Sequence, residues 1–360
     1  MNNSRHIVLL PGDGIGGEVL AAARRVLELV APFHGLNLTL SECAFGGSGI
    51  DVDGAPLPES TLKACKQADG ILMGAIGGPK WDHLRGENRP EAGLLRLRSE
   101  LGVFANLRPV SVPESLSHLS VLPAEKVAGV DILVVRELTG GIYFGTPRVQ
   151  EADHALDTMV YSIHEIERIT RVAGEWARKR SGRIISVDKA NVLAVSRLWR
   201  ETVSRLIQNE FPDVKLEHMY VDNAAMQMVL DPHQFDVLLT GNLFGDILSD
   251  LSSTLAGSLG LLPSASLGGN TPLFEPVHGS APDIAGLNRA NPVAAILSAA
   301  MMLDEWNFVD AAESIRSAVS TTLRNGLFTA DLVPEGAHYQ STTAFTDSVI
   351  TNLKLSEPVI

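Results

Sequence analysis

Residues 6–30 read HIVLLPGDGIGGEVLAAARRVLELV. The apolar run 6–10 has the continuous character of a strand buried on both faces. Residues 19–30 place Val19, Leu20, Val26, Leu27 and Val30 on one face at helical spacing. A glycine turn joins them. Gly12, Gly14 and Gly17 match G-x-G-x-x-G between a strand and a helix, and Glu42 follows where a ribose-binding acid could stand. The loop alone leaves two readings open: a dinucleotide fingerprint, or a tight turn that needs glycine for steric reasons. Asp13 weighs against the first, because a carboxylate inside the loop opposes a pyrophosphate.

Working outward, the same alternation recurs. Residues 36–40 alternate as a strand does, and 70–75 and 131–135 are short apolar runs of the buried parallel kind. Residues 163–178 read as a helix with Ile166, Ile169, Val172, Ala173 and Trp176 on one stripe. Strand 183–187, helix 192–210, strands 216–221 and 237–240, and a helix from about Gly245 follow. This pattern is an α/β fold with a largely parallel sheet. No Pro/Gly/Ser linker divides it, so two domains would exchange the chain more than once or share a sheet.

The 360 residues carry 29 Lys and Arg against 42 Asp and Glu, a net charge of −13, and 45% are hydrophobic. That composition is of a folded protein, not a disordered one. Its acidity excludes bulk binding to nucleic acid or an anionic membrane. An anionic substrate would need a local cluster of cations. Cys43 and Cys65 are too few for a disulfide framework and read as thiols of a reducing cytoplasm. The run 293–303 is far short of the ~20 apolar residues of a membrane span.

The candidate chemistry lies in a few segments. Arg98 follows GLLRL, Arg108 ends FANLR, and Arg136 ends the strand DILVVR. Ligands of open α/β sheets bind at the carboxyl edge of the strands, and a desolvated Arg there grips a carboxylate with its fork. Taken alone, Arg98 reads as a solvated surface residue. Asp246 and Asp250 in GNLFGDILSD stand four apart, on one face of a helix. Capping explains the first but not the second; a hard divalent cation explains both. Asp222 closes the strand of YVDNAAMQ or caps the next helix. Lys189 in VDKANVL and Tyr143 in VRELTGGIYFG complete the set as a candidate base and acid.

These segments, with GGPKWD (77–82), LLPSASLG (261–268) and EPVHGSAPDIAG (275–286), resemble the metal-dependent β-decarboxylating dehydrogenases, the isocitrate/isopropylmalate dehydrogenase family, in order and over most of the chain. The resemblance implies a two-domain α/β sandwich with a largely parallel central sheet, not a Rossmann fold. One domain, on the cofactor side, would comprise 1–103 plus 257–360; the other, 104–256, would carry substrate, metal and dimerisation. It implies NAD-dependent oxidative decarboxylation of 3-isopropylmalate to 4-methyl-2-oxopentanoate and CO2 in leucine biosynthesis, with a D-malate or tartrate enzyme as the alternative.

By the same resemblance, Arg98, Arg108 and Arg136 hold substrate carboxylates. Glu91 and Leu94 face the group on the substrate's third carbon. Asp246, Asp250 and Asp222 hold Mg2+ or Mn2+, and Asp222 also borders the substrate. Lys189 removes the hydroxyl proton and Tyr143 returns one to carbon. NAD is held by Ile15, Gly77, Gly78, Glu91, Glu275, His278, Gly279, Ser280, Ala281, Asp283, Ile284 and Asn291. The expected assembly is a homodimer in which Lys189 and Asp222 serve the other subunit's site, with 146–157 as a dimer arm. Position 17 departs from the family, which usually has Pro there.

Overall fold

The structure, a computed structural model, describes residues 3–353. The chain begins with β1 (Ser4–Gly12), α1 (Gly16–Phe33), β2 (Asn37–Glu42), α2 (Gly47–Asp53), α3 (Glu59–Gln67), β3 (Gly70–Ala75) and α4 (Pro90–Leu101). It continues with β4 (Ala105–Val112), α5 (Ala124–Val127), β5 (Val130–Glu137), β6 (Val149–Gln150), β7 (Ala155–Leu156) and α6 (Ile163–Lys179). Then come β8 (Arg183–Asp188), α7 (Ala194–Glu210), β9 (Lys215–Tyr220), α8 (Val221–Leu230), β10 (Val237–Thr240) and α9 (Asn242–Ala256). It ends with β11 (Pro263–Leu267), β12 (Leu273–Pro276), α10 (Val293–Glu305), α11 (Val309–Arg324) and α12 (Thr342–Asn352). Residues up to Val103 and from Ser258 onward form one unit; Phe104–Gly257 form the other.

In the first unit the strands lie in the order β2-β1-β3-β12-β11, parallel except for the β11–β12 pair. Val8, Leu10, Val19, Val26 and Leu27 are fully buried, which bears out the strand–loop–helix reading. The apolar run 293–303 is the buried helix α10. It is apolar almost all round because α1, α11, β11 and β12 all pack on it. Cys65 is buried and its thiol pushed up to about 12, while Cys43 is only half-buried.

The glycine turn works sterically. A Cβ on Gly12 would lie 1.9 Å from the Ala75 carbonyl oxygen, and one on Gly14 2.0 Å from that of Ser280. Both also have positive φ, at 69° and 56°. Gly17, the third glycine of the fingerprint, meets nothing within 4 Å. The residue needed for close approach is Gly16, whose Cβ would lie 2.2 Å from the Pro11 carbonyl oxygen. Asp13 fills the place a phosphate would need. Its carboxylate accepts hydrogen bonds from the backbone N–H groups of Gly47 (2.8 Å), Ser48 (2.8 Å) and Gly77 (2.7 Å). Burial raises its pKa, and the three N–H groups oppose that rise. Glu42 stays exposed at the end of β2.

In the second unit the order is β4-β5-β10-β8-β9, with only β4 and β5 antiparallel. Arg136 of β5 aligns with Thr240 of β10, and Thr240 with Val187 of β8. The carboxyl ends of these parallel strands are therefore level. Two boundaries differ from the sequence reading. The helix expected at 192 starts at Ala194, because the Lys189 carbonyl accepts from the N–H groups of Val192 and Leu193 in a tight turn. The strand expected to 221 ends at Tyr220, so Asp222 lies in the first turn of α8, neither closing the strand nor capping the helix.

Gly17 is exposed, helical and sterically free, so Gly17→Ala should stabilise the protein by about 0.5–1 kcal/mol, by restricting the unfolded chain. Gly16→Ala should destabilise it by more than that. Urea unfolding of both variants checks the pair.

Candidate active site

Helix α9 packs on β4 and β5 and brings acids to the arginines. On one face of β4, Asn106 and Arg108 alternate, and Asn106 is paired in register with Arg136 of β5. Arg136 is 2% exposed. Its Nη1 lies 2.5 Å from Asp246 Oδ1, and Nε and Nη2 both donate to Asn242 Oδ1, at 3.1 and 2.7 Å. Arg108 donates from Nε to Asn106 Oδ1 and from Nη1 to Ser249 Oγ, both at 2.7 Å. Its Nη1 also lies 3.4 Å from Asp250, and its Nη2 3.7 Å from Asp246. The Tyr143 hydroxyl donates to Asp246 Oδ2 at 2.9 Å. Burial, then the Asp246 charge, raises the Tyr143 pKa and keeps the phenol protonated.

The approach depends on Gly245. A Cβ there would sit 2.6 Å from Arg136 Cγ. The helix begins at Asn242, a turn earlier than expected, and Asn242 is held at three points. Its N–H donates to the Tyr161 hydroxyl at 2.7 Å, and its amide donates to the carbonyls of Leu138 and Gly140. The loop carrying Tyr143 is braced by Glu137, which is fully buried and accepts from Thr139, Gly140 and Arg168. Burial raises the Glu137 pKa against those donors.

Asp246 and Asp250 present hard oxygens on one face of α9. Asp250 is largely exposed, and its pKa is raised by burial of its carboxyl and by the Asp246 charge, with Arg108 opposing. Two repelling carboxylates, one of them open to solvent, suit a divalent cation. Asp222 does not gather with them in this chain. Among the described residues the one cluster of three or more possible ligands is Glu151, Asp153 and His154, exposed at the β6–β7 hairpin. Asp222 instead lies 2.5 Å from Lys189 Nζ, and that pairing lowers its pKa. Lys189 is positioned from below. The Asp188 carboxylate accepts from the Ala190 N–H at 2.9 Å and takes Nε and Nη2 of Arg200, both at 2.8 Å.

In the first unit Arg98 is 7% exposed, so the surface reading of that residue alone was wrong. Its Nη2 donates to Glu275 at 2.7 Å, while its Nε is buried without a partner. Helix α4 sends Leu97 and Leu101 to the core and leaves Leu94 and Leu95 half-buried. Glu91 is exposed, 3.3 Å from Arg89, and lies against Gly77. Gly77 and Gly78 both have positive φ.

The loops of this unit line an open pocket of about 350 Å³ whose walls include Ile15, Gly260, His278, Ile284, Arg289 and Asn291. The Ser280 carbonyl accepts from the Ile15 N–H at 2.8 Å, tying the glycine turn to the 275–286 segment. Ala281 holds a positive φ of 37°. Gly279 is unobstructed and Asp283 exposed. The Nε2 of His278 and the Nε of Arg289 are buried and unpartnered. A mostly apolar lining suits a purine, so these residues fit the adenine end of NAD.

Asn242, Ser249, Glu137, Asp188, Arg200 and Gly245 were not singled out from sequence. All but Arg200 lie inside quoted motifs, but only the packing of α9 on β4 and β5 and the contacts between segments show what they do.

The chain belongs to the isocitrate/isopropylmalate dehydrogenase family, whose profile it matches over residues 6–349. It is 58% identical to the 3-isopropylmalate dehydrogenase of Salinibacter ruber over 355 residues, 99% of this chain and 97% of that one. It is 57% identical to the 3-isopropylmalate dehydrogenase of Oleidesulfovibrio alaskensis, covering 92% and 94%. The crystal structure of isocitrate dehydrogenase from Methylococcus capsulatus matches with a TM-score of 0.85 at 34% identity, covering 97% of this chain and 99% of that one.

Gly245→Ala should overpack α9 against Arg136 and cost ~1–3 kcal/mol. A crystal structure of the variant should show Arg136 displaced from Asp246.

Proposed function

We propose that this chain catalyses the NAD-dependent oxidative decarboxylation of 3-isopropylmalate to 4-methyl-2-oxopentanoate and CO2, the dehydrogenase step of leucine biosynthesis. The observation that carries the reaction class is the set of buried Arg108 and Arg136 with half-buried Asp246 and Tyr143. The names of the curated relatives support the substrate and do not favour D-malate or tartrate. Two half-buried leucines, Leu94 and Leu95, support an apolar group on the third carbon. A third carboxylate there would be desolvated against leucine and repelled by Glu91.

Arg98, Arg108 and Arg136 bind the two carboxylates and align the C–H and C–C bonds that break. Lys189 takes the hydroxyl proton as the hydride leaves the carbinol carbon. Tyr143 then gives a proton to the carbon that has lost CO2, so one proton is taken and one returned. Bound NAD would accept the hydride, and Asp246, Asp250 and Asp222 would hold Mg2+ or Mn2+, which polarises the carbinol oxygen. Asp283, exposed in the 275–286 segment, would accept from the ribose hydroxyls and repel a 2′-phosphate, favouring NAD over NADP.

Lys189 and Asp222 pair with each other, and Lys189 makes no hydrogen bond to the Arg136–Asp246–Tyr143 set among the described residues. The fit is a homodimer in which these two serve the other subunit's site. Met226, Val229 and Leu230 on α8 and Ile247 on α9 are exposed apolar groups that support an interface there. No helix of the described residues is long and apolar enough to cross a membrane. The proposed location is the cytoplasm, with no nucleic-acid partner.

Three outcomes are expected. In an NADH assay with Mg2+, 3-isopropylmalate should be oxidised far faster than isocitrate, D-malate or tartrate. Leu94→Ala should selectively impair 3-isopropylmalate; equal efficiency on isocitrate would overturn the pocket assignment. Excess EDTA should abolish turnover, and Asp246→Asn or Asp250→Asn should remove most of it at saturating metal. Lys189→Ala and Asp246→Ala should each be inactive alone. Refolded together, they should recover roughly a quarter of wild-type activity, because a heterodimer keeps one intact site.

A further inference from the structure

We propose that Tyr161 is the positioning residue for Tyr143, fixing where the turn that carries the proton donor stands. This rests on the role proposed for Tyr143 above and concerns a buried phenol that the proposed chemistry does not use. Tyr161 is 9% exposed and stands two residues before α6, whose N-terminus is closed by a reciprocal cap. Ser162 Oγ accepts from the Glu165 N–H, and the Glu165 carboxylate accepts from the Ser162 N–H at 2.7 Å. That cap fixes the backbone from which the ring projects. The turn that carries Tyr143 lies along the same segment. The Val160 carbonyl accepts from the Gly141 N–H at 2.9 Å, and a Cβ on Gly145 would lie 1.8 Å from the Thr158 carbonyl oxygen. Both ends of the turn are therefore seated on residues 158–161.

The Tyr161 side chain fills the room that three glycines leave. A Cβ on Gly140 would lie 2.6 Å from Tyr161 Cε1, one on Gly141 2.7 Å from its hydroxyl oxygen, and one on Gly241 3.1 Å from that oxygen. Gly140 is extended, with a φ of −119°, so its backbone does not demand glycine; contact does, with the ring at 2.6 Å and Glu137 Oε2 at 3.0 Å. The hydroxyl oxygen accepts from the Asn242 N–H at 2.7 Å, one of the groups that the first turn of α9 leaves unpaired. Trp199 meets the ring edge-on, its centroid 5.3 Å away. A small apolar cavity, walled by Met159, Val195 and Phe244 among others, borders the ring. Packing alone therefore leaves the phenol room to shift, and the bond to Asn242 holds it. Further along, the Tyr143 hydroxyl reaches Asp246 of α9 at 2.9 Å. Tyr161 thus sets the spacing between the turn and the start of α9, and that spacing decides where the Tyr143 O–H points. Arg108 and Arg136 are held by other contacts, with Asn106, Ser249 and Asp246, so substrate binding does not pass through the phenol.

The test measures 3-isopropylmalate oxidation with NAD and Mg2+ in the wild type, Tyr161→Phe, Tyr143→Phe and the double variant. Tyr161→Phe keeps the ring and removes the acceptor for Asn242. It should lower kcat roughly tenfold, because a donor slightly out of place loses rate, and leave the KM for 3-isopropylmalate unchanged. In stopped flow its first turnover of NADH should keep the wild-type rate, since the hydride leaves before the proton returns, and only later turnovers should slow. In the Tyr143→Phe background Tyr161→Phe should cost nothing further, because the group it positions is gone. Gly140→Ala, which presses on the ring without straining the backbone, should reproduce the loss with the same first turnover. A full additional loss in the double variant would show that Tyr161 acts elsewhere and overturn the proposal, as would an unaltered kcat in Tyr161→Phe. A lower melting temperature with equal loss in first and later turnovers would make the role merely structural and overturn it too. Inactivity of the wild type on 3-isopropylmalate would instead remove the proposed reaction, and this inference with it.

Discussion

A nearly fully buried arginine must be compensated, and the second unit is organised around how Arg136 is. The cation ends β5 at the level of the carboxyl ends of β8 and β10. It is met there by a carboxylate, Asp246, and by a side-chain amide, Asn242, both from α9. That meeting requires α9 to lie directly on β5, which in turn requires the missing Cβ of Gly245. Asn242 then ties the start of α9 to Tyr161 and to the loop that carries Tyr143. A buried charge of this kind is poor evidence of stability, because desolvation offsets the attraction. What it does is hold the guanidinium in a fixed orientation.

The first unit is built on a different constraint, the close approach of backbones. Gly12, Gly14 and Gly16 let the turn after β1 press against the carbonyls of Ala75, Ser280 and Pro11. The buried Asp13 carboxylate gathers three N–H groups from two other segments. Two observations argue against a phosphate cradle. The N–H groups that an anion would need are taken by one the protein supplies itself, and the third fingerprint glycine has no steric task. The glycine turn becomes instead part of the wall of a pocket, through Ile15.

Electrostatics link the two constraints to chemistry. The net charge of −13 offers an anionic substrate nothing, so attraction has to be local. Each arginine is already engaged within its own unit: Arg98 by Glu275, Arg136 by Asp246, Arg108 by Asn106 and Ser249. Asp246, which restrains Arg136 in the free protein, is also one of the carboxylates that a metal cation would draw on. Tyr143, its proton held by burial and by Asp246, remains a donor.

The sequence by itself determined the α/β class, because hydrophobic periodicity is a local property and the elements it marked, among them β1, α1, β3, β5, α6, β8, α7, β9 and β10, are present, whereas α3 and β4 were not read from it. It also determined the family, because motifs such as GNLFGDILSD and EPVHGSAPDIAG place rare combinations of residues at fixed spacing. Boundaries at turns escaped it: Lys189–Leu193 and Asn242 are set by backbone hydrogen bonds that composition does not encode. The tertiary structure alone decided the partners. Arg98 looked like a surface residue until Glu275, 177 positions away, was found against it. Asp13 looked like an obstacle to a ligand until its three N–H donors were seen. Pairing between distant segments depends on how the strands and helices pack, and no window of sequence contains that information.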